Sequence, residues 1–420
     1  MRSRRWGASR AAALVGAVIA AVALTGCGSK TRDDDAISGK TVTIYSSGPM
    51  SGASRTSAQA VLSGEQIALE QARGRIGKYR IVLKPLDDST PQRGKWDPGQ
   101  TSGNAHLATQ DPTTIGYLGE FNSGASAVSI PLLNRLGIPQ VSATNTAVGL
   151  TSSNAATAPG EPDKYYPTGV RTFVRIVPND AVQAVAQVKL QKRQRCTKTY
   201  VLNDGEVDGQ DSANSFALAA QQAGLTVAGL QTFDPRATDY SALALSVAQT
   251  GADCVLISAI TENNAVLLTK QIAAALPHAT IFGDASMAES TYTDASDGGI
   301  PDALDRRVML TVPTLAPWLY PAAGRAFYAE YERRYGSPQP YAIYGYEAMS
   351  LLLNAIAVAT HGGAERARRS RVVAALFATR DRNSVIGTYS IDSNGDTTLG
   401  RYGVYRVRDG SLTFVSAIPA

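Results

Sequence analysis

The chain has 420 residues, of which 44% are hydrophobic and 18% charged, an ordinary composition for a globular protein. This length predicts two or three domains rather than one small core. The net charge of +5 comes largely from arginines near the N-terminus and on one predicted helix at residues 366–371. No basic stripe interleaved with aromatic residues occurs, which argues against a nucleic-acid-binding protein.

The first 26 residues have the pattern of an export signal, because basic residues 2–10 precede an apolar stretch, 11–24, that is short for a membrane span. The stretch ends in LTGC, which resembles the lipobox of bacterial lipoproteins and predicts cleavage before Cys27 and acylation of its thiol; the alternative is a chance cysteine. Polar residues 27–39 are predicted to be a flexible tether. No later segment is predicted to span a membrane. The mature protein should therefore lie outside the cytoplasm, held at the cell membrane by lipid.

The folded part is predicted to begin with alternating strands and helices. Residues 41–45 form the first strand, and a helix follows. The second strand, at 80–86, ends in Asp87 and Asp88. We interpret these two acids as turn and cap residues in preference to a catalytic pair.

The central stretch, residues 115–146, predicts two consecutive parallel strands, each followed by a polar loop. The strands lie at 115–118 and 138–141, with a helix between them that ends at Gly137. The polar loop residues include Asn122, Ser123, Gly124, Ser142, Thr144, Asn145 and Thr146. In open α/β sheets ligands bind at the carboxyl ends of such strands. The alternative is that these residues only form turns and caps.

A second series of strands and helices follows an irregular excursion at 149–169. Its strands are predicted at 173–177, 199–203, 225–230, 254–259, 280–283 and 308–312. Two helices rich in apolar residues come next, and the C-terminal segment from 389 to 415 predicts antiparallel ribbons with tight turns. The βα alternation predicts parallel sheets covered by helices on both faces, in two similar lobes.

Two cysteines, Cys196 and Cys254, each stand at the start of a predicted strand. The first and third strands of a doubly wound sheet commonly lie side by side, and an exported protein folds where disulfides persist. We expect a disulfide in preference to two buried thiols.

With these patterns in view, the chain resembles the periplasmic binding proteins of type 1 fold, specifically the branched-chain amino acid binding family of ABC importers. The resemblance rests on the order and spacing of several weak motifs between residues 41 and 415. These motifs are GPMSG at 48–52, Asp87-Asp88 with Pro91, residues 119–124, residues 142–146, Arg175 with residues 178–180, residues 204–209, residues 344–349 and Asn394-Gly395-Asp396. It implies an α/β fold of two Rossmann-like, doubly wound lobes joined by a hinge of three crossings. Residues 40–177 and 314–379 would form the first lobe, and residues 178–313 and 380–420 the second.

The resemblance also implies site residues in the first lobe. Ser123, with Gly124 beside it, matches the serine that binds the ligand carboxylate. Thr146 matches a threonine that contacts the carboxylate and ammonium of a bound amino acid, and Thr144, next to Asn145, supplies backbone groups. Hydroxyl and N–H donors suit a desolvated carboxylate.

Three positions depart from the family pattern. Ser57 stands where an aromatic residue is frequent, Asp208 replaces a tyrosine, and Asp284 lies one residue before the usual ammonium-binding acid. These changes predict a ligand with an extra donor or cationic group, such as a polar or basic amino acid, an amide or a urea-like compound. In the alternative, Asp208 caps a helix and points away from the cleft.

The predicted function is capture of a small ligand and its delivery to the permease subunits of an ABC importer, by a monomer without cofactor or metal. A sensory lipoprotein is an alternative that the sequence does not separate from the first. An enzyme is not expected, because no Walker A loop, nucleophile elbow or dinucleotide fingerprint occurs. The histidines His106, His278 and His361 also lack metal-ligand spacing.

Overall fold

The structure, a computed structural model, describes residues 35–420. The predicted signal sequence, Cys27 and most of the tether lie outside the described residues.

The first part of the chain builds a six-stranded sheet in the order β2-β3-β1-β6-β7-β8, in which only β2 is antiparallel to its neighbour. The strands of this part are β1 (Thr41–Gly48), β2 (Arg75–Ile76), β3 (Tyr79–Asp87), β4 (Ser89–Thr90), β5 (Lys95–Trp96), β6 (Thr114–Leu118), β7 (Gln140–Ser142) and β8 (Phe173–Arg175). Strands β4 and β5 form a separate ribbon. The helices are α1 (Arg55–Gln71), α2 (Pro98–Gln110) and α3 (Ser123–Asn134).

The second part builds a seven-stranded sheet in the order β10-β9-β11-β12-β13-β16-β17, with β16 and β17 antiparallel. Its strands, and those of a small ribbon, are β9 (Lys198–Asn203), β10 (Thr226–Thr232), β11 (Cys254–Ser258), β12 (Thr280–Gly283), β13 (Val308–Val312), β14 (Arg382–Ser384), β15 (Gly387–Tyr389), β16 (Arg401–Arg408) and β17 (Ser411–Pro419). The remaining helices are α4 (Asp180–Arg193), α5 (Val207–Ala223), α6 (Ser241–Gln249), α7 (Val266–Ala275), α8 (Ser290–Thr293), α9 (Ala322–Tyr335), α10 (Ala342–Ala359) and α11 (Arg369–Phe377).

We call the first sheet with α1–α3 and α9–α11 lobe 1, and the second sheet with α4–α8 lobe 2. The chain passes between the lobes from β8 to α4, from β13 to α9 and from α11 to β16. This arrangement confirms the predicted α/β fold of two doubly wound lobes. Residue boundaries of the lobes stay a prediction.

Helices α1 and α10 pack closely in lobe 1 because glycines lie at their contact. A Cβ atom on Gly64 would come within 2.2 Å of the Ala342 carbonyl oxygen, and one on Gly345 within 2.1 Å of the Val61 carbonyl oxygen. Helix α10 is also apolar and long enough to cross a membrane. This result differs from the prediction that no later segment would qualify. However, 72% of the helix is buried inside the protein. It therefore serves as a core helix.

The predicted bond between Cys196 and Cys254 is present, with a Cα–Cα distance of 5.8 Å. Strands β9 and β11 are adjacent, and Cys254 pairs with Thr199 in their register. The expectation that the first and third strands of lobe 2 lie side by side is thus confirmed.

The prediction of antiparallel ribbons in the C-terminal segment is confirmed only in part. Asp409 and Gly410 form the tight turn between β16 and β17, both with positive φ angles of 50° and 72°. Residues near Asn394-Gly395 form an isolated bridge instead of a ribbon, and Tyr389 pairs back with Arg382. The Gly395 carbonyl accepts a hydrogen bond from the Arg175 N–H at 2.9 Å, which ties this turn to β8.

Candidate functional site

The carboxyl ends of both sheets face a common cleft between the lobes. A cavity of about 30 Å³ lies there, and groups from both lobes line it. The lining residues are Ser54, Phe121, Asn122, Ser123, Thr144 and Tyr341 from lobe 1, and Asp208, Ile260, Ala285, Ser286 and Glu289 from lobe 2.

Polar side chains hold the two loops of lobe 1 in a fixed arrangement. Asn145 donates its side-chain amide to the carbonyl oxygens of Glu120 and Phe121, at 3.1 and 2.9 Å. The Thr144 hydroxyl donates to the same Phe121 oxygen at 2.6 Å. Asn145 is 1% exposed, so its role in the structure is to join the loops that follow β6 and β7.

Asp208, in the first turn of α5, faces the cleft and contacts lobe 1 directly. Its Oδ1 accepts hydrogen bonds from the hydroxyls of Ser123, at 3.2 Å, and Thr146, at 2.9 Å. Its Oδ2 accepts one from the Ser286 hydroxyl at 2.7 Å. The alternative in which Asp208 points away from the cleft is therefore wrong. Asp208 is also not the cap of α5, because the N-cap residue of this helix is Glu206.

Asp284 lies behind the cavity wall, where it is 2% exposed. Its Oδ2 accepts from the Ser258 hydroxyl at 2.5 Å and its Oδ1 from the Ser286 backbone N–H at 3.0 Å. Burial raises the pKa of Asp284 well above its ordinary value, and the nearby charge of Asp208 raises it further. Asp284 thus positions Ser286, which in turn contacts Asp208.

Two other predicted residues lie beside the cavity rather than on its wall. Ser57 is 2% exposed on α1, and Ser54, three residues earlier, lines the cavity in its place. Gly124 packs against the Trp96 ring, and a Cβ atom there would lie 2.6 Å from the ring. Both residues shape the wall from behind.

Sequence reasoning missed Glu289, which precedes α8. Glu289 is 7% exposed and lines the cavity. The hydroxyls of Ser54 and Thr261 lie near its carboxyl group, but within residues 35–420 its Oε2 accepts no hydrogen bond of standard geometry. Burial raises the pKa of Glu289 well above its ordinary value, and the neighbouring charge of Glu262 adds to the shift. Its position five residues after Asp284 was the one signal the sequence offered.

Two further contacts cross the cleft, and in both of them a donor of lobe 1 meets a carboxylate of lobe 2. The backbone N–H and hydroxyl of Ser54 both donate to Glu262 Oε1 at 2.9 Å. The Lys95 ammonium pairs with Glu206 at 2.7 Å.

At the hinge, a buried ion pair joins Arg175 to Asp396, with a distance of 2.6 Å between Nε and Oδ1. Arg175 also donates to the carbonyl oxygens of Asn145 and Ala147, at 3.3 and 2.7 Å. Asp396 accepts from the Asn179 side chain at 3.2 Å. The pair therefore fixes the loop after β7 against two of the segments that connect the lobes.

One group of potential metal ligands occurs within the described part of the chain, formed by Cys196, Asp253 and Cys254. Its two sulfur atoms are joined in the disulfide and are not available as thiolates.

Comparison with known proteins bears on this two-lobed cleft. A family model described as periplasmic binding protein matches residues 41–411. The chain belongs to the periplasmic binding protein family. No curated protein sequence matches it.

Solved structures share the fold at low sequence identity. A leucine-binding protein from Thermotoga maritima is 21% identical with a TM-score of 0.76, covering 90% of this chain and 99% of its own. A branched-chain amino acid transporter substrate-binding protein from Streptococcus pneumoniae, in complex with isoleucine, is 17% identical with a TM-score of 0.72, covering 91% and 100%. An ABC transporter solute-binding protein from R. palustris, in complex with benzoate, is 18% identical with a TM-score of 0.71, covering 90% and 97%. All three are binding proteins, and the second and third belong to transporters.

Proposed function

We propose that this periplasmic binding protein is the extracytoplasmic lipoprotein of an ABC importer, which captures a small ligand between its lobes and delivers it to the permease. The observation that carries the proposal is the Asp208 contact, through which groups of both lobes meet beside one cavity. A ligand that bridges the lobes would stabilise their approach, as hinge closure requires.

The ligand is a small polar compound with a hydrogen-bond donor or cationic group, such as a polar or basic amino acid, an amide or a urea-like compound. This class suits the cleft because carboxylates of lobe 2 need a charged or donating partner when they are desolvated. The residues proposed for binding are Ser57, Ser123, Gly124, Thr144, Asn145, Thr146, Asp208 and Asp284. We assign direct contact to Ser123, Thr144 and Asp208, which line the cavity, and a supporting role to the other five.

The proposal places the protein outside the cytoplasm as a monomer anchored through lipidated Cys27, with the polar residues 27–39 as a tether. Such an anchor keeps the binding lobes near the permease without a membrane helix of their own. The match of the family model to residues 41–411 supports the binding lobes, and the LTGC sequence at 24–27 supports the anchor.

Calorimetric titration of an unlipidated Cys27→Ser protein with amino acids, amides and amines tests the proposal. We expect one compound class to bind with a stoichiometry of one, and Ser123→Ala and Thr146→Val to weaken that binding about tenfold each. The exposed Ser246, whose hydroxyl donates to the Leu243 carbonyl within its own helix, provides a control in Ser246→Ala. Binding that none of the cleft variants alters would contradict the proposed site.

A further inference from the structure

The serine and threonine hydroxyls that line the cavity are all engaged within the protein. Ser54 donates to Glu262 and Thr144 to the Phe121 carbonyl. Ser123 and Ser286 both donate to Asp208. A ligand carboxylate needs donors of this kind, and the carboxylate of Asp208 already occupies them.

A second carboxylate at the same position would also meet unfavourable charge. It would lie beside Asp208 in a desolvated site, where like charges repel strongly. Among the cavity-lining residues that the structure describes, none is a lysine, arginine or histidine that could offset this repulsion. The cleft therefore disfavours an anionic group on its ligand.

Two buried acceptor atoms on residues of the cavity wall have no hydrogen-bond partner within residues 35–420. These atoms are Oε2 of the buried Glu289 and Oδ1 of Asn122. A carboxylate that is nine-tenths buried costs free energy unless a cation or donor pairs with it. Glu289 thus points to a donor supplied by the ligand.

Aromatic rings complete the wall. Phe121 and Tyr341 lie with their ring centroids 5.9 Å apart in an edge-to-face arrangement, and both line the cavity. Aromatic faces attract organic cations. Carboxylates and aromatic rings together form a site for an ammonium or guanidinium group.

We propose that the cleft selects a small organic cation without a carboxylate, and that Glu289 and Asp208 bind its ammonium or guanidinium group. This inference rests on the proposed function and narrows its ligand class. The small cavity, of about 30 Å³, favours a compact cation.

Matched compounds test the proposal because they differ only in the charged group. Ethylammonium is alanine without its carboxylate, and propanoate is alanine without its ammonium. Methylguanidinium, leucine and 3-methylbutylammonium extend the set in donor number and length. Titration calorimetry of the Cys27→Ser protein should show binding of ethylammonium or methylguanidinium at least tenfold tighter than binding of alanine, leucine or propanoate.

Two cleft variants and one control separate the proposed contacts from general effects of charge. Glu289→Gln should weaken cation binding at least tenfold. Asp208→Ala should free the hydroxyls of Ser123 and Ser286, so the preference for ethylammonium over alanine should shrink at least tenfold. Asp163→Asn, on a side chain that is 92% exposed, should change neither. Circular dichroism melting of each variant identifies any that fails to fold, and the other variant then decides.

Three results would overturn the proposal. Tighter binding of alanine or leucine than of the amines contradicts it while leaving the proposed solute-binding function intact. Cation binding that is indifferent to both Glu289→Gln and Asp208→Ala does the same. No heat from any compound, with no small molecule retained by the purified protein, contradicts the inference and the proposed function together.

Discussion

Asp208 of lobe 2 accepts a hydrogen bond from the Thr146 hydroxyl of lobe 1 at 2.9 Å. The contact places an acid of the protein itself against hydroxyls that the family resemblance assigns to a ligand carboxylate. Ser123 reaches the same Oδ1 atom at 3.2 Å. One side chain thereby links the loops after β7 and β9 and gives the cleft its negative character.

The Asp208 contact should help to hold the lobes together. Asp208→Ala removes the acceptor of three hydroxyl hydrogen bonds, so we expect the lobes to separate more often and the radius of gyration of the ligand-free protein to increase. Small-angle X-ray scattering measures this, with Asp163→Ala as an exposed control. An unchanged scattering curve for Asp208→Ala would show that other contacts determine the lobe arrangement.

The disulfide should stabilise lobe 2. Replacing Cys196 and Cys254 together by serine is expected to lower the free energy of unfolding by about 2–4 kcal/mol, because the bond constrains the unfolded chain. Urea denaturation followed by circular dichroism gives this value. Thiol titration of the denatured, unreduced Cys27→Ser protein should detect no free thiol, and two free thiols would contradict the bond.

Cys27 should be the lipid anchor. The LTGC sequence after a short apolar leader predicts that Cys27→Ser removes the acyl chains on which membrane attachment depends. In a detergent phase-separation assay, wild-type protein should enter the detergent phase and Cys27→Ser should remain in the aqueous phase. Equal partitioning of both proteins would place the anchor elsewhere.

The contact between α1 and α10 should tolerate no side chain at its glycines. Gly345→Ala places a methyl group 2.1 Å from the Val61 carbonyl oxygen, so we expect a loss of about 1–3 kcal/mol in the free energy of unfolding. Gly103→Ala on the exposed face of α2, where a Cβ atom meets nothing within 4 Å, should instead stabilise by about 0.5–1 kcal/mol. Thermal or urea denaturation compares the two, and equal effects would contradict this account of the packing.

Glu65, buried on α1, should make stability depend on pH. Burial raises its pKa to about 8, partly offset by a hydrogen bond from Ser46. The folded state therefore favours the protonated acid, and this contribution to stability is fully present below pH 4.5 and is lost as the pH rises to about 8. Glu65→Gln should weaken the decline in unfolding free energy between pH 5 and 8, while the exposed Glu332→Gln should preserve it. If the unfolding free energy of Glu65→Gln declined as much as that of the wild type, groups other than Glu65 would cause the pH dependence.

The sequence predicted most strands because short apolar runs are bounded by glycine, proline and polar residues. The strand predicted at 280–283 has those bounds in the structure, and the one predicted at 115–118 begins one residue earlier. The N-cap of α4 is equally local, because the Asn179 side chain accepts from the Val182 N–H at 3.3 Å. Such features depend on neighbouring residues alone.

The site was less predictable because it depends on the phase of helices and on contacts between distant loops. Ser57 is buried in lobe 1 while Ser54 lines the cavity, a difference set by where α1 begins. Asp88 was interpreted as a turn residue, yet it is 0% exposed. Glu289 joins the cleft only through the packing of lobe 2 against lobe 1. No local pattern encodes these long-range placements.

Native mass spectrometry of the Cys27→Ser protein, secreted by its natural host and purified without denaturation, tests the central claim most directly. The account predicts one small organic molecule per chain, released on unfolding, that carries an amine, amide or guanidinium group. The same preparation of Asp208→Ala should retain less of it. A mass equal to that of the bare polypeptide, together with no binding of any compound in the calorimetric panel, would contradict the claim that this cleft captures a solute.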